Sequence, residues 1–272
     1  MASRPADAGS GDRIAVVIPC FNEAKRLDLP RFRAFLERES SVELLFVDDG
    51  STDATREVLA RLCAQLPRCA VLSLGRNAGK GEAVRRGIQQ ALASAPDMVG
   101  YWDADLAIAP DAIHDFARVL RQRPQLHAVI GSRVQLMGRV IRRSQLRHYL
   151  GRAFATAASL VIGMPVYDTQ CGAKLFRVTD AVRAVFRDRF VSRWIFDVEV
   201  LARLARETGT SGWSVPVYEF PLEHWENVPG SKVGVSSYLN AGFELLEIWQ
   251  LYPRTDSSTT ALRAPVEPGV PQ

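Results

Sequence analysis

Short apolar runs alternate with segments of helical spacing from residue 13 onward. "RIAVVIP", "VELLFVDD", "AVLSLG", "MVGYWDAD" and "HAVIGSRV" are apolar and rich in β-branched residues, with little polar alternation. Such runs suit strands covered on both faces. Between them, "LPRFRAFLERE", "DATREVLARLCAQL", "GEAVRRGIQQALASA" and "PDAIHDFARVLRQR" repeat apolar positions every three or four residues. Regular strand–helix alternation predicts an α/β fold, a mostly parallel central sheet covered by helices on both faces. The second half is less regular. A long helix is expected over "RSQLRHYLGRAFATAASLVIG", a strand over "TQCGAKLFRV" and a helix over "FDVEVLARLARET". A late strand over "WSVPVYEFPLEHW" and a final amphipathic helix over "SSYLNAGFELLEIWQLY" follow. No internal repeat is present, so one domain is expected over 13–253. The Gly-, Ser- and Pro-rich tails at 1–12 and 254–272 are expected to be disordered.

In open α/β sheets, ligands sit outside the carboxyl ends of the strands. The first strand ends in Pro19, Cys20, Phe21, Asn22 and Glu23, and the second in Asp48, Asp49, Gly50, Ser51, Thr52 and Asp53. The third ends "GRNAGKG", with Asn77, Gly79 and Lys80; the fourth ends Asp103, Ala104, Asp105; the fifth ends Gly131, Ser132, Arg133. Five polar strand ends on one sheet edge say more than any single motif. Turn and capping chemistry accounts for Gly50, Ser51 and Asp53, but not for Asp48 and Asp49 inside the strand end. "GRNAGKG" is not a Walker A loop: three residues rather than four separate Gly75 from Gly79, and Gly81 replaces the magnesium-binding Ser/Thr. The first strand does not lead into Gly-x-Gly-x-x-Gly, which argues against a NAD site. Asp103 and Asp105 suit a hard divalent cation that bridges to a substrate diphosphate. The bland reading is an Asp-rich loop ahead of a helix start at Pro110 and Asp111.

Composition narrows the classes. The chain has 272 residues, 47% hydrophobic and 24% charged, with net charge +4. No Lys/Arg run or RNA-binding signature points to nucleic acid. Cys20, Cys63, Cys69 and Cys171 show no Cys-x-x-Cys or framework spacing, which predicts reduced thiols in a cytosolic protein. The N-terminus has no apolar h-region. The longest apolar run, 153–166, is too short for a membrane span. Arg139, Arg142, Arg143, Arg147 and Arg152 precede or enter that run. A basic entry with an apolar continuation fits an interfacial segment on an anionic membrane and equally a core helix with a solvated start.

"VVIPCFNEAKRL", "LLFVDDGSTDAT", "RNAGKGEAVRRGI" and "WDADL", in this order and spacing, resemble the inverting family 2 glycosyltransferases of GT-A fold, over roughly residues 13–235. "DTQCGAKLF", "RWIFDVE" and "GSKV" resemble the dolichyl-phosphate β-glucosyltransferase branch, whose relatives make dolichyl-phosphate mannose. The resemblance implies that Pro19, Asn22, Glu23, Asp48 and Asp49 line a uridine or guanosine pocket with Lys80 beside it. Gly50, Ser51, Asn77, Gly79 and Ala104 fall in the same matched stretches and are assigned to the nucleotide-sugar site. It further implies Asp103 and Asp105 as ligands of Mg²⁺ or Mn²⁺, Arg133 near the acceptor phosphate and Lys232 near the diphosphate. Ala107 stands where some relatives carry a further polar residue after the metal aspartates. Membrane anchors before or after the catalytic domain are common in the family; none is expected here.

The implied reaction moves a sugar, expected to be glucose from UDP-glucose, to a polyprenyl phosphate with inversion, at the cytoplasmic face of a membrane touched peripherally. The alternatives are the same donor chemistry on a soluble or glycan hydroxyl, and a nucleotide-sugar-binding or nucleotidyl-transferring protein without glycosyl transfer. A monophosphate acceptor, with a second pKa near 6, is already nucleophilic at pH 7. A hydroxyl needs a general base. Asp168 is the candidate for that base or for orienting the acceptor; its bland reading is a turn carboxylate.

Overall fold

A computed structural model of the chain describes residues 12–142, 145–226 and 235–252. Both tails assigned to disorder fall almost wholly outside these residues. In chain order the elements are β1 (Ile14–Cys20), α1 (Leu29–Arg38), β2 (Val42–Asp48), α2 (Thr55–Cys63), β3 (Cys69–Ser73), α3 (Lys80–Leu92), β4 (Met98–Trp102), α4 (Ala112–Gln122) and β5 (Ala128–Ser132). Then follow β6 (Val140–Arg142), α5 (Gln145–Ile162), β7 (Ala173–Arg177), α6 (Asp180–Val185), α7 (Phe196–Thr208), β8 (Val217–Pro221), β9 (His224–Glu226) and α8 (Val235–Leu251).

Seven strands form one sheet in the order β3-β2-β1-β4-β7-β5-β8. Neighbours pair in parallel except β7, which runs antiparallel between β4 and β5. The mostly parallel sheet is therefore as expected; the reversal of β7 is an addition to it. An apolar run such as "AKLF" carries no sign of its direction. The reversal has one structural consequence for the site. The carboxyl ends of β1 to β5 and the amino end of β7 all open on the same edge.

Alternation along β1 divides the core. Ile14, Val16 and Ile18 face one cluster with Phe32 and Phe35 of α1, Leu59 of α2 and Phe116 of α4. Ala15 and Val17 face the other, with Val84 and Ile88 of α3 and Phe196 and Val200 of α7. The sheet is thus covered on both faces. Behind α7, α5 and α8 pack through Ala158, Ala241, Leu245 and Ile248. Gly87 lets α3 lie close on the sheet: a Cβ there would stand 2.5 Å from Val17.

The four-thiol expectation is corrected in part. Cys63, the last residue of α2, and Cys69, the first of β3, form a disulfide with Cα atoms 4.7 Å apart. The tight turn between the two elements brings them within bonding range, which sequence spacing alone did not reveal. Cys20 and Cys171 are buried thiols. No helix among the described residues is long and apolar enough to cross a membrane.

Candidate active site

Backbone hydrogen bonds to side chains organise the strand ends. Asn22 has φ 52, a left-handed conformation that Asn tolerates better than most residues. Its Oδ1 accepts from Thr52 N at 2.8 Å, while its own N donates to Ser51 Oγ at 3.0 Å, which joins the loops after β1 and β2. Asp48 accepts from Ser51 N at 3.0 Å and from Ser73 Oγ at 3.3 Å. Asp49 accepts from Ala78 N at 2.7 Å and Gly79 N at 2.9 Å, so it holds the loop after β3. Burial raises the Asp49 pKa more than those two N–H groups lower it. Gly50, with φ +69, lies against the same loop; a Cβ there would stand 2.3 Å from the Arg76 carbonyl carbon. Pro19 pairs with Val47 inside the sheet, and the Ala104 methyl is packed in the core. Asn77 Oδ1 receives a long hydrogen bond of 3.4 Å from Arg193, whose guanidinium also lies beside Gly79.

The fourth strand delivers the carboxylates. Trp102 and Tyr101 are fully buried and fix its end. Asp103 N donates to Gly172 O at 2.9 Å, which ties the loop after β4 to the entry of β7. Lys80 Nζ stands 2.5 Å from Asp103 Oδ1. Arg26 Nη2 stands 3.4 Å from Asp105 Oδ2 while the same guanidinium pairs with Glu23 at 3.0 Å. Burial first, then the neighbouring Asp103, raises the Asp105 pKa. Burial works to lower Lys80, yet Asp103 and the more distant Asp197 leave it raised and charged. Two carboxylates in need of counter-charge offer hard oxygen ligands, and Lys80 and Arg26 now supply that charge. Among the described residues, no group of three or more His, Cys, Asp or Glu side chains could enclose a metal ion. A cation here would therefore complete its shell with diphosphate and water oxygens, a usual mode for Mg²⁺.

At the β5 end, Arg133 and Asp168 form a bidentate pair. Arg133 Nε to Asp168 Oδ2 is 2.6 Å, Nη2 to Oδ1 is 2.8 Å, and Arg133 N also donates to Oδ2 at 3.1 Å. Burial tends to raise Asp168, but the charge and hydrogen bonds of Arg133 outweigh it and hold the carboxyl below its usual range. Glu219 of β8 accepts from Tyr167 N at 2.9 Å and Asp168 N at 2.9 Å, so it fixes the backbone under the pair. Arg152 donates to Tyr167 O at 2.7 Å, and Arg139 to Pro221 O at 3.1 Å. These two arginines of the expected basic segment are bound to the protein. The side chains of Arg142, Arg143 and Arg147 lie outside the described residues, as does the whole of Lys232.

Sequence reasoning missed the support beneath this row. Lys174, fully buried in β7, donates to Thr169 O at 3.0 Å, Cys171 O at 2.8 Å and Asp197 Oδ1 at 2.5 Å. Tyr101 OH donates to the same Asp197 oxygen at 2.5 Å. Lys174 thereby pins the 168–172 loop to α7. The signal was present, since a lysine within an otherwise apolar strand requires a partner, and Asp197 opens the next long helix. A second buried carboxylate, Glu199, accepts from Val191 N, Ser192 N and Arg203. Glu244 of α8 accepts from the Ser192 hydroxyl and from Ile195 N. Both hold the 191–195 loop that carries Arg193.

A family model described as glycosyl transferase family 2 matches residues 15–182. A dolichyl-phosphate beta-glucosyltransferase of Trichomonas vaginalis is 32% identical over 244 residues, covering 85% of this chain and 69% of the relative. The human dolichyl-phosphate beta-glucosyltransferase is 32% identical over 252 residues, covering 87% and 74%. That of Drosophila melanogaster is 34% identical over 255 residues, covering 88% and 75%. Among solved structures, glucosyl-3-phosphoglycerate synthase of Mycobacterium tuberculosis in complex with Mn²⁺, uridine diphosphate and glucosyl-3-phosphoglycerate superposes with a TM-score of 0.64. The two share 19% identity, with 94% of this chain and 88% of that one covered. This likeness shows the fold, that of the GT-A glycosyltransferases. With the family model spanning more than half of the residues and these relatives aligned along most of their own length, the chain belongs to glycosyl transferase family 2, on the branch of the dolichyl-phosphate beta-glucosyltransferases, and is a glycosyltransferase.

Proposed function

We propose that this glycosyltransferase moves glucose from UDP-glucose to the phosphate of a polyprenyl or dolichyl lipid, with inversion and with Mg²⁺ or Mn²⁺. The observation that carries the choice of acceptor is the bidentate Arg133–Asp168 pair. Both Asp168 oxygens are occupied by Arg133 and its pKa is depressed, which makes it a weak proton acceptor. A phosphate acceptor needs no such base, because its oxygen is already anionic at pH 7. What it needs is a cation held in place, and Arg133 is that cation. Asp168 is then a positioning residue, and the reading of Asp168 as a base is set aside. The relatives named above are dolichyl-phosphate glucosyltransferases, which supports the same acceptor.

The order of the strand ends along the sheet supports the following donor half. The loops after β1, β2 and β3, with Asn22, Glu23, Asp48, Asp49, Asn77 and Gly79, hold the nucleoside. Asp103 and Asp105 would hold the divalent cation, which would supply Lewis-acid stabilisation of the leaving diphosphate. Lys80 exchanges its contact with Asp103 for the diphosphate oxygens and adds positive charge where negative charge develops. Arg26 moves from Asp105 in the same way and keeps Glu23 as its partner. Lys232, in the matched "GSKV", is assigned to the diphosphate by the resemblance alone.

A lipid acceptor lies in a membrane, and two exposed helix faces support docking there. On α8, Phe243, Leu246 and Trp249 are exposed at helical spacing while Ala241, Leu245 and Ile248 pack inward. On the adjoining α5, Tyr149 and Leu160 are exposed. From residue 116 to 167 the sequence contains no Asp or Glu and many arginines. Apolar helix faces next to such a segment suit an anionic cytoplasmic leaflet.

The experiment is Asp168→Asn, assayed with polyprenyl phosphate. If Asp168 positions Arg133, the acceptor KM rises and the acid limb of the pH–rate profile keeps the pKa of the acceptor phosphate. If kcat collapses and a lipid or sugar hydroxyl proves the better acceptor of the wild-type enzyme, the phosphate reading fails and the hydroxyl reading replaces it.

A further inference from the structure

The proposed function leaves open what reads the transferred sugar. Sheet order restricts where that group can lie. β7 sits between β4, whose end carries Asp103 and Asp105, and β5, whose end carries Ser132 and Arg133. Because β7 is antiparallel, its entry loop, 168–172, stands on the cleft edge between the two. Trp102 pairs with Ala173, and Ile130 with Lys174, so the loop meets both strand ends in register. At one end of the loop Asp168 grips Arg133. At the other, Gly172 lies so close to Asp103 that a Cβ would stand 1.8 Å from its Oδ2. A sugar joined to the metal-bound diphosphate and facing an acceptor at Arg133 therefore lies against residues 169–171.

Three polar side-chain atoms on this edge are buried and have no hydrogen-bond partner among the described residues: Gln170 Nε2, Thr169 Oγ1 and Ser132 Oγ. Ser132 and Thr169 are each 1% exposed. A buried donor left unpaired is costly, so native chains seldom retain one without a use for it. Here three fall within two short segments, Ser132 directly before Arg133 and Thr169 and Gln170 directly after Asp168. The loop itself is rigid. Lys174 holds the carbonyls of Thr169 and Cys171, and Glu219 holds the N–H of Asp168. The backbone that carries the unpaired groups is thus fixed; the three atoms themselves are closed off from solvent, and a ligand meets them once their side chains turn toward the cleft.

We propose that Gln170, with Thr169 and Ser132, forms the sugar-reading pocket, in which the Gln170 amide N–H donates to a hydroxyl of the transferred hexose. The proposal rests on the glycosyl-transfer reading above, and it makes Gln170 a specificity residue. It does not depend on the hexose being glucose. A pocket that hydrogen-bonds a particular hydroxyl rejects the epimer that lacks it, because the buried group is then left unpaired.

The test is Gln170→Leu, with Thr169→Val and Ser132→Ala as companions, each checked by thermal melt against wild type. Two readouts are taken with Mn²⁺ present: kcat/KM across UDP-glucose and its C2 and C4 epimers, and the ratio of the dissociation constants of UDP and the intact UDP-sugar. Gln170→Leu is expected to cost about tenfold or more in kcat/KM for the preferred donor. The epimers should change by less, so that discrimination collapses while UDP affinity stays within about threefold. If discrimination and the UDP-to-UDP-sugar ratio are unchanged in all three variants, the pocket is elsewhere and the proposal fails. If UDP affinity falls in parallel with kcat/KM, the residues serve the nucleotide or the fold, which also overturns it. Wild-type preference for another hexose would overturn the glucose assignment alone. Absence of transfer from every donor would overturn the reaction, and the binding ratio would still decide the pocket.

Discussion

Gly172→Ala is the sharpest perturbation of the proposed reaction centre. Gly172 is not among the positive-φ glycines, so alanine imposes no backbone strain there. The effect comes from one contact. The added Cβ would lie 1.8 Å from Asp103 Oδ2 and 2.2 Å from its Cγ, against an ordinary contact that begins at 3.4 Å. The carboxylate must retreat by the difference, well over an ångström, although Lys80 and the Asp103 N–H bond to Gly172 O hold it where it is. Misplacing a reacting group by about 1 Å costs about 100-fold in rate. Gly172→Ala is therefore expected to lower kcat/KM by about that factor in initial-rate assays with labelled UDP-glucose. Calorimetry should show weaker UDP binding in Mn²⁺ and little change without metal. The melting temperature should move by only a few degrees, because Asp103 is part-exposed and can turn outward. Activity within threefold of wild type would refute the placement of Asp103 as a metal-holding group. Loss of folding would show that the contact matters to structure alone.

Lys174→Met strands the buried Asp197; breaking a buried ion pair costs about 3–5 kcal/mol, or roughly a 10 °C fall in Tm for a domain of this size. The triple change Lys174→Met, Asp197→Leu, Tyr101→Phe should recover most of it in a thermal melt, and a melt that Lys174→Met leaves unchanged would disprove the network. Asp168 is depressed in the folded state, so its contribution to stability is present above its unfolded pKa of about 3.9 and is lost as pH falls through the lower folded value. Asp168→Asn should therefore be less stable than wild type at pH 7, with the gap closing below pH 4 in urea titrations; a gap independent of pH would contradict the pairing. Phe243→Ser, Leu246→Ser and Trp249→Ser together should abolish flotation with anionic vesicles and leave the melt unchanged, whereas unaltered flotation would remove α8 from the membrane surface.

Much of the molecule was legible because apolar periodicity survives folding. β1 to β5 and the four helices between them lie where the alternation placed them, and the five polar strand ends do share one edge. The direction of β7 was not legible, because direction depends on which neighbours a strand finds and not on its own residues. The roles of Asp48 and Asp49 were legible only in part. Their position in the cleft followed from the strand ends, but their grip on Ser51, Ala78 and Gly79 needed the third dimension. Asp168 shows the same limit more sharply. In sequence it stands 35 residues from Arg133, and only the fold shows that its carboxylate grips that guanidinium. The Cys63–Cys69 disulfide was hidden for the opposite reason. Its spacing matches no framework, and a turn of ordinary length closes it.

The most direct measurement is the fate of labelled glucose from UDP-glucose, with Mg²⁺ or Mn²⁺, in the presence and absence of polyprenyl phosphate. The account predicts label in the organic phase only when metal and lipid phosphate are both present, released as glucose by mild acid and absent when a chelator is added before the donor. Label that enters a water-soluble product, or a lipid bearing a hydroxyl in place of the phosphate, would contradict it.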